Sequence, residues 1–165
     1  TLGFYREPPL PTTFLAVTLL SSVTDVLQAK LLSTQVTVEK QCDDLLQITA
    51  SFGDLRQVVS NLVLNSLDAL GEGGRITLRA SRSRNPLDGS SRIRLTIADN
   101  GRGIGAEALP KLFEPFFTTK GSTGNGLGLW ICMQIVEKHG GSIWVRSRVC
   151  EPRGTTFSIL LPECA

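Results

Sequence analysis

Asp99-Asn100-Gly101-Arg102-Gly103-Ile104-Gly105 follows directly on Arg92-Ile93-Arg94-Leu95-Thr96-Ile97-Ala98, and the reading of this junction decides the fold. Ile93, Leu95 and Ile97 alternate with Arg92, Arg94 and Thr96, the period of a strand with one buried face. Gly101, Gly103 and Ala106 nominally satisfy the GxGxxG/A fingerprint of a dinucleotide-binding βαβ unit. The continuation excludes that architecture. Pro110 and Pro115 interrupt the stretch where a long helix is required, and Lys120 stands where an acidic residue belongs. No GxxxxGK[ST] loop occurs anywhere in the chain. An ionised Asp99 at a strand end is suited instead to accept a hydrogen bond from an exocyclic amine such as adenine N6.

Working outward, Ile76, Leu78 and Ala80 alternate with Arg75, Thr77 and Arg79, so a second half-buried strand pairs with the first across a loop around Asn85-Pro86 and Asp88-Gly89. The arginines of this pair read as a solvated outer face, since no aromatic residues interleave with them. Upstream, Asp54 as cap with Gln57 three residues on, and Gly71 after Leu70, predict a helix over 55–70. Earlier still, apolar residues from Ala16 to Leu31 recur at three and four, predicting one helix from Thr13 to about Ser33, and Val36 and Val38 predict a strand. Downstream, residues 99–125 hold too many Gly and Pro for long elements, with short helical turns expected over Ala106 to Phe113. A helix from Leu127 to His139 and strands at Ser142 to Ser147 and Thr156 to Leu161, around a turn at Glu151 to Gly154, complete the chain. The order predicts an α+β sandwich with helices on one face of the sheet.

A length of 165 residues with 41% hydrophobic and 19% charged residues fits one globular domain and excludes disorder and fibrous repeats. A net charge of +2 supplies no general attraction to nucleic acid or anionic lipid, so any anionic ligand must be held by local geometry. Neither a membrane span nor a signal peptide is expected from the given residues. The four cysteines lack a CxxC pair and there is one histidine, so reduced thiols are expected rather than a zinc site. The chain starts at Thr1 with its sole methionine at Met133, and Leu2 to Arg6, stopped by Pro8, Pro9 and Pro11, reads as the end of a preceding helix. Residues 1–11 are therefore expected to be a remnant of that helix and linker, with the domain over 12–165.

Asn61 and Asn65, four apart on the predicted helix, project their amides from one face, with Gln57 and Asp68 in the same stripe. Such a stripe requires solvent, an internal network or a ligand. Asparagine oxygens also suit Mg²⁺ that takes its remaining ligands from water and phosphates. Gly124, Gly126 and Gly128 open the helix beginning at Leu127, where free N–H groups and the helix dipole favour an anion, and Lys120 can add positive charge there.

Together these motifs resemble those of the sensor histidine kinases. The run Asn61 to Ala69 resembles the N box and Asp99 to Ile104 the G1 box. Leu112-Phe113-Glu114-Pro115-Phe116-Phe117-Thr118-Thr119-Lys120 is similar to the F box. The glycine run from Gly124 resembles G2, and Gly154-Thr155-Thr156-Phe157 resembles the last glycine box. Five motifs in this order, from Asn61 to Phe157, make the resemblance specific.

The resemblance implies a Bergerat-type two-layer sandwich with a mixed, mostly antiparallel sheet, binding ATP and Mg²⁺. It implies that Asn65 ligates Mg²⁺, that Asp99 binds the adenine amine, and that Gly101 and Gly103 let the base approach the backbone, with Ile104 and Thr155 beside them. It places Thr118, Thr119, Lys120, Gly124 and neighbours in a lid, and Gly126, Leu127, Gly128 and Leu129 at the phosphates. The F-box phenylalanines are expected to anchor the lid by packing. Asp68 departs from the pattern, because some members carry a phosphate-contacting lysine there, which leaves Lys120 as the expected cation. Asn61 stands where related hydrolysing members have a glutamate base, so phosphoryl transfer to a histidine is expected over ATP hydrolysis, serine phosphorylation or a non-catalytic docking role. His139 is expected to be structural, with the acceptor histidine on a separate dimerisation module of the parent protein. The implied partners are that module and the receiver domain of a response regulator, with no nucleic acid. The domain alone is expected to be a cytoplasmic monomer unable to phosphorylate itself, and the parent a homodimer, membrane-anchored in some architectures.

Overall fold

A computed structural model of the chain describes residues 10–119 and 124–163. The expected helix remnant over Leu2 to Arg6, together with Lys120 and Cys164, lies outside the described residues. In chain order the elements are β1 (Thr12–Leu15), α1 (Ala16–Val26), α2 (Gln28–Ser33), β2 (Thr37–Cys42), β3 (Gln47–Ala50), α3 (Phe52–Leu70), β4 (Arg75–Arg84), β5 (Ser91–Asp99), α4 (Gly128–Lys138), β6 (Ser142–Arg148) and β7 (Gly154–Pro162). A short 3₁₀ turn at Leu109–Lys111 lies between β5 and α4.

Five strands form one sheet in the order β2-β4-β5-β7-β6, antiparallel except for the β2–β4 pair, which is parallel. The expected mixed sheet with helices on one face is the observed architecture. Its inner face carries Ile76, Leu78, Ile93, Leu95, Ile97 and Ile159, each at most 1% exposed. Against them pack Leu19, Leu20 and Val23 of α1, Leu55, Val58 and Leu62 of α3, and Cys132 and Val136 of α4. Each such aliphatic side chain contributes about 1.5 to 3 kcal/mol by leaving water, so the sheet is a rigid platform for whatever sits at its strand ends.

Three expectations are corrected. The single helix from Thr13 to Ser33 is a strand followed by two helices. Thr12–Leu15 pairs antiparallel with Gln47–Ala50 in a separate two-stranded sheet, and the helix breaks at Leu27, where φ is −97° and ψ is 8°. The apolar periodicity through this stretch is real, but Phe14 spends its hydrophobicity on an edge-to-face contact with Phe52, centroids 4.9 Å apart, rather than on a helix face. The N-cap of α3 is Ser51, not Asp54. The Ser51 hydroxyl accepts from the Asp54 amide at 3.3 Å, so Asp54 occupies the first turn, where its charge complements the helix dipole. Finally, an aromatic residue does reach the arginine-bearing outer face, because β6 lies two strands from β5 and places Trp144 under the Arg94 guanidinium, 5.5 Å from the ring centroid.

Candidate nucleotide site

A cavity of about 690 Å³ opens between α3, α4, the C-terminal end of β5 and the segment 102–119. Its inner end is built by the β5–β7 ladder, whose register sets Asp99 directly opposite Thr155. Asp99 Oδ1 accepts from the Gly101 amide at 2.9 Å, an Asx-type turn that closes the strand end. Burial holds the Asp99 carboxyl above the ordinary carboxylate range. Bonding from the Gly101 amide, the nearby Ser66 hydroxyl and the Thr155 amide pull the other way and offset only part of this. Ser66 Oγ is itself buried, with no further partner among the described residues. A hydroxyl network backs this end: the Ile104 amide donates to Ser147 Oγ at 2.7 Å, and Ser147 Oγ lies 2.8 Å from Thr155 Oγ1 and 3.0 Å from the Gly154 carbonyl.

Two glycines of this region meet neighbouring backbone closely. Gly101 is buried and absent from the cavity wall; a Cβ there would stand 2.9 Å from the Ala69 carbonyl carbon, so its bareness admits the α3 backbone rather than a base. Gly103 lies on the wall at φ +79°, but its open side faces the Arg148 carbonyl oxygen, which leaves no room for a Cβ. Both positions fasten the 99–105 loop to neighbouring backbone.

The other end of the cavity is formed by α3 and the start of α4. Asn61 and Asn65 lie on the wall, as do Ile104, Thr118, Thr119, Gly124, Gly126, Gly128, Leu129 and Thr155. Leu127, expected among them, is not on the wall. It is the N-cap of α4, and its amide is taken by Asn125 Oδ1 at 3.1 Å. Among the described residues no side chain caps α4 beyond it, and no acidic residue occupies its first turn, which leaves the first amides of that helix as donors at the wall. Gly126 has φ +71° and accepts from the Phe116 amide at 3.0 Å, with no room for a Cβ against the Phe116 backbone. That bond joins the segment carrying the phenylalanines to the start of α4.

The phenylalanines divide. Phe113 packs edge-to-face on Phe157 with centroids 6.4 Å apart, whereas Phe117 lines the cavity and Phe116 is 74% exposed. Wall residues that the sequence reading did not single out include Lys30 of α2, Leu64, Arg102 and Glu107. Arg102 was visible in the quoted junction; Lys30 had no signal, because nothing in the spacing brings α2 to the site.

Away from the cavity, His139 ends α4 with Nδ1 2.7 Å from the Ile135 carbonyl and Nε2 accepting the Ser51 amide at 3.3 Å. Both ring nitrogens thus tie the end of α4 to the cap of α3, the structural role expected. Cys132 is fully buried, its thiol 3.7 Å from the Val58 carbonyl, and burial pushes its pKa up to about 11 despite the Asn61 amide beside it. It is inert packing between α3 and α4.

An α+β sandwich with a cavity between two helices and a carboxylate at a strand end has the class of architecture that suits a nucleotide. The profile of the Histidine kinase-, DNA gyrase B-, and HSP90-like ATPase family matches residues 52–165, and the chain belongs to that family. Sensor histidine kinase ZraS of Salmonella typhi is 42% identical over 123 residues, covering 74% of this chain and 25% of ZraS. The nucleotide-free catalytic domain of histidine kinase ThkA superimposes with a TM-score of 0.81 at 31% identity, covering 94% of this chain and 97% of that one. ThkA in complex with response regulator protein TrrA matches with a TM-score of 0.76 at 30% identity, covering 93% of this chain and 42% of that one. The chain spans about a quarter of the length of the curated relative ZraS. In sequence it resembles sensor histidine kinases and in fold their catalytic domains, as the motif order implied. Among the described residues no helix is long and apolar enough to cross a membrane.

Proposed function

We propose that this domain binds Mg²⁺-ATP with the adenine at Asp99 and hands the γ-phosphoryl group to a histidine on a dimerisation module of the same parent protein, from which a response regulator receiver domain takes it. The observation that carries the reading is the pair Asn61 and Asn65 on one wall of the cavity, facing the uncapped start of α4. Asn61 offers an amide and no carboxylate, so the site lacks a base there to activate water. Transfer to an imidazole, itself a nucleophile, needs mainly positioning and charge compensation.

The donor set fits the ligands. Asp99, ionised, accepts the exocyclic amine, and the fixed amides of the 99–105 loop hold that carboxylate in place. The α4 amides receive phosphate oxygens. Asn65, with Asn61 one turn earlier, supplies neutral oxygen to Mg²⁺, whose other ligands are water and phosphate. When bound, Mg²⁺ neutralises charge on the transferring phosphoryl group. Thr118, Thr119 and Gly124 border the opening and Lys120 lies between them in sequence, where its charge serves the phosphates. His139 is not the acceptor, since both its nitrogens are committed to α3 and α4. The domain works as a cytoplasmic monomer unit within a dimeric parent.

Incubation of the chain with γ-labelled ATP, Mg²⁺ and the parent's separately prepared dimerisation module tests this reading. Acid-labile, base-stable label on the module and none on the chain alone is expected. Label on His139, or phosphate release that outpaces transfer, would overturn it. Converting Asn61→Asp should raise hydrolysis relative to transfer.

A further inference from the structure

The wall of the cavity carries three carboxylates, Asp68, Asp99 and Glu107, against two cations among the described residues, Lys30 and Arg102. A polyanion at such a wall needs a cation aimed at it. Arg102 is held at the C-terminal turn of α3: its backbone amide donates to the Ala69 carbonyl at 3.2 Å and its guanidinium donates to the Asp68 carbonyl at 3.4 Å. Lys30 comes from outside the recognised motifs altogether.

The fold brings it there deliberately. Leu27 and Leu31 pack on the core and fix the rotation of α2. The end of α2 is tied to the end of α3 by the Gly73 amide donating to the Thr34 carbonyl at 2.8 Å. The Lys30 carbonyl is held by Thr34 Oγ1 at 2.7 Å and by Ser33 Oγ at 3.0 Å, so the backbone that carries the side chain is anchored. From this position Lys30 borders the same cavity as Asn61, Leu64, Asn65 and Asp68, all on one face of α3. Its ammonium forms no ion pair among the described residues, although Asp68 shares the wall. A mobile, strongly hydrated ammonium at the rim of a polyanion site is the usual form of a phosphate-binding lysine.

We propose that Lys30 is a phosphate-binding residue of this domain, reaching across α3 to the phosphate oxygens of the bound nucleotide. The inference rests on the ATP-binding reading above. It assigns a ligand contact to α2, an element outside the five motifs, and makes affinity depend on how α2 docks on α3.

Calorimetric titration of Mg²⁺-ATP, ADP and adenosine into the wild-type chain and into Lys30→Ala, Lys30→Arg and Lys30→Glu tests it, with the unliganded Tm of each variant as a check on folding. Lys30→Ala should weaken Mg²⁺-ATP about 5- to 10-fold and ADP by less, as expected for one charge-assisted contact at a solvated rim. Adenosine binding should stay unchanged, Lys30→Arg should remain within about 3-fold of wild type, and Lys30→Glu should lose more than Lys30→Ala. Unchanged Mg²⁺-ATP affinity in Lys30→Ala would overturn the assignment, as would an equal loss for ATP and adenosine, which would mean that Lys30 only shapes the cavity. Failure of the wild-type chain to bind Mg²⁺-ATP would instead overturn the ATP reading itself and the inference with it.

Discussion

The two ends of the cavity are built on opposite principles. At the inner end, Asp99 is fixed by the Gly101 amide, faces Thr155 across a ladder pair and is backed by the Ser147 hydroxyl network. At the other end, where the proposed function puts the phosphates, the groups are Asn61, Asn65, Lys30 and the first amides of α4, and the segment is joined by single bonds such as Phe116 to Gly126. The contrast separates two tasks. Selecting a base requires acceptors and donors whose positions do not adjust, because discrimination comes from leaving wrong partners unsatisfied. Handling a phosphate chain and passing one phosphoryl group on requires neutral oxygen and positive charge that can follow the group as it moves.

Paired substitutions can break this comparison. Gly103→Ala forces a Cβ onto the Arg148 carbonyl at a positive φ. It should destabilise the unliganded domain by about 2 to 4 kcal/mol, read as a fall in Tm of roughly 5 to 10 °C. Gly126→Ala has a comparable local clash with the Phe116 backbone, but at the less interlocked end. Its Tm should fall less than half as far while Mg²⁺-ATP affinity drops about 10-fold by calorimetry. Equal losses of stability in the two variants would show that the ends do not differ in rigidity.

A smaller effect sharpens the division between base and phosphate recognition. Asn65→Ala should lower Mg²⁺-ATP affinity roughly 10-fold and abolish the difference between titrations with Mg²⁺ and with chelator, leaving adenosine binding intact. A Mg²⁺ dependence that survives the substitution would place the metal elsewhere.

Smallest is a pH effect confined to the inner end. The folded chain holds the Asp99 carboxyl above its ordinary value of 3.8, so between that value and the raised one it binds more protons than the unfolded chain. Stability from this group is therefore complete below the ordinary value and is lost as pH rises through the interval. Nucleotide binding runs the other way, because the adenine amine prefers the ionised acceptor, and affinity should climb over the same interval. Thermal and calorimetric pH series on wild type and Asp99→Asn check both slopes, which should flatten in the variant.

Sequence legibility followed the same division. The inner end was readable because its determinants are contiguous: a strand with period two running into Asp99 and a glycine turn. The core helix was readable too, since Leu55, Val58, Val59, Leu62 and Leu67 keep one face. What escaped depends on contacts between distant segments. Thr12–Leu15 became a strand only because Gln47–Ala50 was there to pair with it, and four residues carry too little period to announce either. Trp144 met Arg94 through strand order, not sequence neighbourhood. Lys30 reached the cavity because α2 ends against α3. Gly101 stands out in the sequence as a turn glycine, but its close neighbour, the Ala69 backbone, comes from a distant segment.

The central claim is that Asp99 reads adenine at the fixed end of a Mg²⁺-ATP site. Titration of Mg²⁺-ATP against wild type and Asp99→Ala, followed by thermal shift at about 100 times the wild-type Kd, tests it most directly. Wild type should gain about 2.7 kcal/mol, a shift of roughly 5 to 10 °C, and Asp99→Ala should show no shift while keeping its fold. An equal shift in the two proteins would contradict the assignment.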